Sequence, residues 1–171
     1  MECLLNWNLG KGVNDLENPF IIALISYGIG NFCWAYILGK IFKKEDVRES
    51  GSKNAGATNA LRVYGKKIGA LAFILDLLKA ILAVYIGGKF LGYNGKLVAG
   101  VSVVLGHNYP IFFGFKGGKG IAASIGVMLS LHWPTALVCI LIGILVIIKS
   151  RYVSLGSVTA AALVPFIDYY E

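Results

Sequence analysis

Charged residues are scarce in this sequence of 171 residues. They make up 15% of the chain, while 57% of the residues are hydrophobic and the mean hydropathy is +0.71. A soluble globular domain usually carries roughly 25% charged residues, and one of this size could not remove so much apolar surface from water. The composition therefore excludes a soluble domain. Together with apolar runs of helix length, it predicts an all-α integral membrane protein.

Cysteine and histidine are also few, with three and two copies. The cysteines are odd in number, and Cys33 and Cys139 fall within apolar runs, so we expect neither a disulfide framework nor a metal site. No cofactor is predicted. Residues 1–19 are mixed and polar, without the basic start and apolar core of a signal peptide. We expect them to form an extramembrane arm ahead of a single membrane-embedded domain over residues 20–171.

Apolar runs predict about six transmembrane or re-entrant helices. They cover residues 20–39, 68–88, 97–113, 121–131, 135–148 and 153–167. The tripeptide His132-Trp133-Pro134 separates the fourth run from the fifth, because proline disfavours helix in the residue before it. The fourth run, with eleven residues, rises only about 16 Å and cannot cross a bilayer alone. The turn before it is therefore expected to dip into the protein and form the floor of a pocket.

Basic residues lie mainly on one predicted side of the membrane. With the first helix running inward, twelve Lys and Arg fall in the inner connections and three in the outer ones. This asymmetry predicts an outside N-terminus and glycine-rich loops that face the cytoplasm. Lys79 lies within a span, where we expect it to pair with Asp76 one turn away. The net charge of +7 sits at segment ends, which argues against nucleic acid and for anionic lipid or phosphate partners.

The first polar stretch on this face, residues 49–62, combines small residues, hydroxyls, amides and Arg62. A guanidinium presents a planar fork that suits phosphate oxygens. The candidate binding residues are Gly51, Ser52, Asn54, Thr58, Asn59 and Arg62. The alternative is a flexible loop that caps a helix, with Thr58 or Asn59 as the N-cap.

The second stretch, residues 105–124, contains a Gly-Gly-Lys-Gly turn that opens a helix. It is not a Walker A loop, because no Ser or Thr follows the Gly-Lys pair. The free N–H groups and positive dipole at a helix start suit an anion. The candidates are Gly117, Gly118, Gly120 and Lys119, with Lys116 as a surface charge. An ordinary positive-inside turn is the alternative, and we interpret His107 as a structural pin for the loop rather than a base.

The third stretch, residues 149–159, places Ser154 and Ser157 on one helix face just after a basic turn. Helix packing through small residues would explain them equally well. All three stretches lie on the same predicted face and carry anion-binding groups. Together they predict a pocket for a phosphorylated molecule that has an apolar part.

The segments GSKNAGATNALR, GHNYPIFFGFKGGKG and RYVSLGS resemble, in order and spacing, the three signature motifs of the bacterial acyl-phosphate:glycerol-3-phosphate acyltransferases (PlsY-type). The likeness spans roughly residues 26–165. It implies a membrane enzyme, usually of seven helices, that transfers a fatty acyl chain from acyl phosphate to the 1-hydroxyl of glycerol 3-phosphate. The products would be lysophosphatidic acid and phosphate.

The resemblance also implies site residues and a location. On matching positions it assigns phosphate binding and the active site to Ser52, Arg62, Lys119, Ser157 and the glycines at 117, 118 and 120, with Asn54 and His107 close by. It implies a bacterial inner membrane location with the site facing the cytoplasm.

Two features depart from the family pattern. A Gly-Ser followed closely by proline is replaced by Gly30-Asn31-Phe32, and the sequence ends at Glu171 before the family's usual last helix and basic tail. The alternative function is a shortened, non-catalytic membrane protein that binds phosphorylated lipid precursors. A phosphate-ester transporter is disfavoured, because the basic groups cluster on one face. The sequence carries no signal for the oligomeric state.

Overall fold

The computed structural model describes residues 18–169, with side chains through residue 164, and this part of the chain is helical without strands. The predicted all-α fold is thus confirmed. The seven α-helices of the described residues are α1 (Pro19–Gly30), α2 (Trp34–Leu38), α3 (Ala57–Tyr64), α4 (Lys66–Asn108), α5 (Ile121–Leu131), α6 (Trp133–Ser150) and α7 (Val153–Tyr169). All but the last two residues of the predicted N-terminal arm lie outside the described residues.

Three helical stretches are long and apolar enough, by length and composition, to cross a membrane. They cover residues 19–43, 66–113 and 133–150, while α5 and α7 are apolar but shorter. Each of the six predicted runs lies largely within helical residues. The start and end of α5 agree with the predicted eleven-residue run. The orientation of the chain across the membrane stays a prediction.

The first apolar run is not one continuous helix, which corrects the prediction for residues 20–39. Helix α1 ends at Gly30, α2 resumes at Trp34, and a π-helical turn follows at Gly39–Lys43. The break occurs at Asn31, whose Nδ2 donates to the Tyr27 carbonyl at 2.7 Å and whose Oδ1 accepts from the Ile111 N–H at 2.6 Å. Such side-chain bonds offer the backbone an alternative to the helix, and here they tie the break to a distant turn.

The second and third apolar runs form the two helical parts of α4, which fold back against each other, since a Cβ on Gly87 would overlap the Gly95 carbonyl oxygen. Helix α4 has non-helical dihedral angles at Leu91 and Gly92, and Gly92 adopts a φ of 57°, a conformation that favours glycine. The helix ends at Asn108, not at the predicted Phe113, because Pro110 lacks an N–H and restricts the residue before it. Residues 111–113 form a short 3₁₀ turn instead.

Helix α4 is the centre of the described fold, since α1, α3 and α5 all pack against it. The backbones of α1 and α4 cross closely at Gly30 and Gly106. A Cβ atom added to Gly30 would lie 2.9 Å from the Gly106 Cα. Small residues allow such approaches between membrane helices. The crossing brings the break after α1 next to the C-terminal end of α4.

We predict that Gly106→Ala destabilises the protein by about 1–3 kcal/mol, because the added methyl would overlap the α1 backbone. The expected result is a lower Tm in detergent solution. Gly28→Ala is the matched control, since a Cβ at Gly28 would meet no heavy atom within 4 Å. It should leave the Tm unchanged or slightly raised. Equal losses in both variants would contradict the close crossing.

Candidate phosphate-binding site

The side chain of Asn59 organises the first loop, defined as residues 46–56. Its Nδ2 lies 2.7 Å from the Val47 carbonyl, 3.0 Å from that of Asn54 and 3.1 Å from that of Ser50, and its Oδ1 accepts from the Ser52 N–H at 2.8 Å. Asn59 is only 2% exposed. Both ends of its amide are therefore directed at the loop backbone and not at a ligand.

Helix α3 begins at Ala57 with Gly56 as its N-cap, which corrects the predicted cap at Thr58 or Asn59. Glycine has no side chain, so the helix start has no side-chain cap, and the Asn59 amide serves the loop instead. The Gly56 carbonyl accepts from the N–H groups of Asn59 and Ala60 at 3.0 and 3.1 Å. Thr58 and Arg62, four residues apart, share the exposed face of α3.

The other candidates of the first loop differ in role. Ser52 is exposed and Asn54 is half-buried, with no side-chain hydrogen bond found for either within the described chain. Gly51 has a φ of 63° and packs against the Asn59 amide, where a Cβ would overlap Oδ1. Gly51 thus helps to fold the loop around Asn59, and Ser52 lies at its surface.

The second loop, residues 114–120, is built on the C-terminal end of α4. The N–H groups of Gly117 and Gly118 donate to the carbonyls of Asn108 and His107 at 3.2 and 3.0 Å. Gly118 rests on the His107 imidazole, so that a Cβ there would overlap Nε2. Close packing therefore requires glycine at this position. Lys119, the next residue, is exposed.

The hydrogen bonds of the second loop decide which of its N–H groups remain available. Those of Gly117 and Gly118 are engaged, whereas those of Lys119, Gly120 and Ile121 have no backbone acceptor within the described residues. Gly120, with a φ of 75°, is the N-cap of α5. The free donors therefore lie at the start of α5, after the glycine pair and not on it.

The two loops are joined directly. The Ala55 N–H donates to the Gly117 carbonyl at 3.1 Å. A Cβ on Gly56 would lie 3.8 Å from both the Gly118 Cα and the Lys119 nitrogen. Gly56 starts α3, and Lys119 precedes the start of α5. The N-terminal ends of two helices, each with the positive end of its dipole, thus lie side by side.

Arg48 forms a second link between the loops. Its Nη1 donates to the Phe113 carbonyl at 2.8 Å, and its guanidinium lies 4.7 Å from the centre of the Tyr36 ring. Asp46 holds it in place with contacts of 2.8 to 3.2 Å. These hydrogen bonds lower the pKa of the Asp46 carboxyl below its ordinary value of 3.8. The ion pair therefore stays intact at neutral pH.

His107 lies beneath the second loop and out of solvent, with its side chain 3% exposed. Its Nδ1 is 2.9 Å from the Lys79 Nζ, which in turn is 2.7 Å from an Asp76 carboxylate oxygen. The predicted pairing of Asp76 with Lys79 is confirmed. The burial of His107 favours its interpretation as a pin for the loop.

The third stretch lies on a different pair of helices. Helix α7 packs mainly against α6, where a Cβ on Gly156 would be 2.6 Å from the Gly143 carbonyl oxygen. The Ser157 hydroxyl donates to the Val153 carbonyl at 2.9 Å, and Ser154 is exposed. The structure thus joins the first and second stretches directly, while the third follows separately after α6.

Sequence reasoning missed Arg48 and Asn31 as organising residues. Arg48 is one of twelve inner basic residues, and its charge alone does not distinguish it from the others. The available signal was Asp46, two residues earlier, since an acid and a base so close in a short loop can pair. For Asn31 the signal was an amide within an otherwise apolar run. Their partners, Phe113 and Ile111, are 65 and 80 residues away in sequence and could not be predicted from local patterns.

The sequence and the fold are similar to those of known proteins. The family model described as glycerol-3-phosphate acyltransferase matches residues 20–170. A glycerol-3-phosphate acyltransferase of Thermoanaerobacter pseudethanolicus is 49% identical over 82% of this chain and 71% of its own length. One of Alkaliphilus metalliredigens is 44% identical over 85% of this chain and 75% of its own.

Two solved structures have a similar fold. Both are crystal structures of PlsY (YgiH), an integral membrane glycerol 3-phosphate acyltransferase. The glycerol 3-phosphate form superposes with a TM-score of 0.83 at 37% identity, and the lysophosphatidic acid form with 0.81 at 36% identity. Each match covers 89% of this chain and 76% of the other.

We predict that Asn59→Asp destabilises the first loop. The carboxylate could still accept from the Ser52 N–H, but it would face three carbonyl oxygens without a proton to donate. We expect a loss of about 2–4 kcal/mol, seen as a lower Tm and faster proteolysis within residues 46–56. Thr58 is adjacent to Asn59 in sequence but lies on the exposed face of α3. Thr58→Ala should therefore change neither the Tm nor the rate of proteolysis. Similar effects of both variants would argue against this role for Asn59.

We predict a pH-dependent effect for Asp46→Asn. The folded-state pKa of Asp46 is lowered, so the ionised carboxylate stabilises the fold above its unfolded pKa. That contribution is lost as the pH falls through the folded pKa. The variant should therefore be less stable than the wild type at pH 7, by roughly 1 kcal/mol. The difference in Tm should shrink below about pH 3.8, and a constant difference would contradict the assignment.

Proposed function

This chain belongs to the glycerol-3-phosphate acyltransferase family, and we propose that it transfers a fatty acyl group from acyl phosphate to the 1-hydroxyl of glycerol 3-phosphate. The family membership makes it an acyltransferase of phospholipid synthesis that acts on glycerol 3-phosphate. The acyl phosphate donor and the roles of individual residues are proposed from the chemistry of the site. The products are lysophosphatidic acid and inorganic phosphate.

The adjacent N-terminal ends of α3 and α5 are the observation that supports this proposal most. Helix starts bind phosphate through free N–H groups and the positive end of the dipole. In our assignment the N–H groups of Lys119, Gly120 and Ile121 bind one phosphate, with the Lys119 ammonium as the counter-charge. Gly117 and Gly118 contribute by shaping the loop, since their own N–H groups donate to α4.

Arg62 is the second proposed cation. In an α-helix the Cα–Cβ bond tilts toward the N-terminus, so the base of the Arg62 side chain leans back along α3 toward the start of that helix. The Thr58 hydroxyl lies on the same face, and the exposed Ser52 precedes the helix. We assign these residues to the second phosphate. Two anions must meet in this reaction, and a cation for each suppresses their repulsion.

Ser157 is proposed as a site residue from the family resemblance, and Ser154 because it shares a helix face with Ser157 just after a basic turn. The Ser157 hydroxyl donates to the Val153 carbonyl within α7. A phosphate oxygen needs a donor, so Ser157 must give up this internal bond to bind one. The exposed Ser154 has no such requirement. Of the two, Ser154 is therefore the readier donor in the described arrangement.

The reaction needs no covalent enzyme intermediate, because an acyl phosphate is already an activated anhydride. The 1-hydroxyl oxygen attacks the acyl carbon, a C–O ester bond forms, and the bond between that carbon and the phosphate oxygen breaks. The hydroxyl proton passes to a phosphate oxygen of a substrate. His107 is too deeply buried to take it. Bringing the reactants together between fixed cations supplies the rate enhancement.

The membrane supplies the acyl chain. Phe112 and Phe115, in the turn before Lys116, are 74% and 60% exposed, so an apolar surface adjoins the proposed phosphate site. An acyl chain can lie in the bilayer against this surface while its phosphate reaches the second loop. We propose that the protein lies in the bacterial plasma membrane, with the loops on the cytoplasmic side as the distribution of basic residues indicates.

We predict that Lys119→Ala lowers kcat/KM by about 100-fold, the scale of one removed transition-state contact. Lys116→Ala, three residues earlier and also exposed, should lower it by less than about 3-fold. The measurement is phosphate release by purified protein supplied with acyl phosphate and glycerol 3-phosphate. Equal losses would mean that the loop acts only as a diffuse positive surface.

The same assay separates the enzyme from a non-catalytic binding protein. The wild-type protein should release phosphate and form lysophosphatidic acid in equal amounts. Retained binding of glycerol 3-phosphate without phosphate release above background would contradict the proposed reaction.

A further inference from the structure

We propose that Asp76 and Lys79 are positioning residues for the second loop and act on it through His107. These three residues, called here the buried network, lie within α4 below the site. The inference rests on the proposed function, since it concerns the placement of the phosphate-binding loop. It adds a role for two charged residues that contact neither proposed phosphate.

The Lys79 ammonium lies at the junction of three chain segments. It is 3.0 Å from the Gly30 carbonyl oxygen and 2.5 Å from that of Phe32, on either side of the break after α1. It is also 2.7 Å from Asp76 Oδ1 and 2.9 Å from His107 Nδ1. The side chains of Lys79 and Asp76 are 6% and 1% exposed. This ammonium thus fixes the break in the first segment relative to both parts of α4.

His107 connects the Lys79 ammonium to the second loop through two contacts with Gly118. Its carbonyl accepts from the Gly118 N–H at 3.0 Å. Its imidazole lies directly under Gly118, where a Cβ would overlap Nε2. The ring is almost fully buried, so it can influence a substrate only by way of Gly118. Lys119 is the next residue, and a shift of the ring would therefore shift the proposed phosphate ligand.

The attraction between Lys79 and Asp76 does not by itself account for charged groups at this place. Removing two charges from water costs about as much as their attraction returns, and well-packed apolar residues often serve equally well. The buried network instead has directional contacts to the break after α1, to both parts of α4 and, through the His107 carbonyl, to Gly118 itself. Groups that hold a binding residue in place commonly need such fixed geometry, and a misplacement of about 1 Å can cost about 100-fold in rate.

The test compares four variants with the wild type under steady-state conditions, with the KM of each substrate measured separately. Asp76→Asn combined with Lys79→Met removes both charges and leaves no single buried ion. His107→Asn keeps a polar atom near the position of Nδ1, whereas His107→Leu removes it. Lys96→Met is the control, because Lys96 lies eleven residues before His107 in α4, about 16 Å along the helix.

We expect the double variant and His107→Leu to raise the KM of one substrate at least about 10-fold, with the KM of the other changed less than about 3-fold. His107→Asn should stay within about 3-fold of the wild type, and Lys96→Met should be unchanged. A structural role alone would lower the Tm or the yield of active protein and leave both KM values as they were. Unchanged KM values for both substrates in correctly folded variants would overturn the inference.

The outcomes separate this inference from the proposed function. A wild-type protein that forms no lysophosphatidic acid refutes the function, whatever the variants do. An active wild type whose variants keep both KM values refutes the buried network as a positioning device. If the double variant does not fold, the His107 pair decides: equal KM values for His107→Asn and His107→Leu overturn the inference, and the predicted difference supports it.

Discussion

The ammonium of Lys79 satisfies backbone carbonyls at the point where the first apolar segment stops being helical. Within a membrane no water is available for broken helical hydrogen bonds, so irregular backbone persists only where the protein supplies partners. Lys79 supplies them at Gly30 and Phe32. The break in turn frees Asn31 to hold the turn after α4. The second loop starts from that turn, and its place depends on this chain of contacts.

The site that results derives its anion-binding character from helix ends. The sequence FKGGKG suggests glycine N–H groups around a phosphate, but Gly117 and Gly118 use theirs to attach the loop to α4. Their missing side chains serve close packing above His107. Lys119 is thereby placed beside the start of α3. The glycines of this motif thus allow close packing, and Lys119 supplies the positive charge.

Local signals were sufficient for most of the helical segments but not for the break after α1 or for the loops. Helix α5 has the predicted bounds because Gly120 and Pro134 are strong local markers, and the pairing of Asp76 with Lys79 follows from helical spacing. The break at Asn31 depends on Ile111, 80 residues away, and so could not be predicted. The same holds for Asn59, whose amide closes a loop, where composition suggested a ligand contact or a helix cap.

The position of a bound phosphate tests the central claim most directly. A structure determined with glycerol 3-phosphate or inorganic phosphate bound should place a phosphate within hydrogen-bond distance of the Lys119 ammonium and of N–H groups at the start of α5. The Gly117 and Gly118 N–H groups should still donate to α4. A phosphate bound instead at the turn between α6 and α7, against Lys149 and Arg151, with the joined loops empty, would contradict this arrangement.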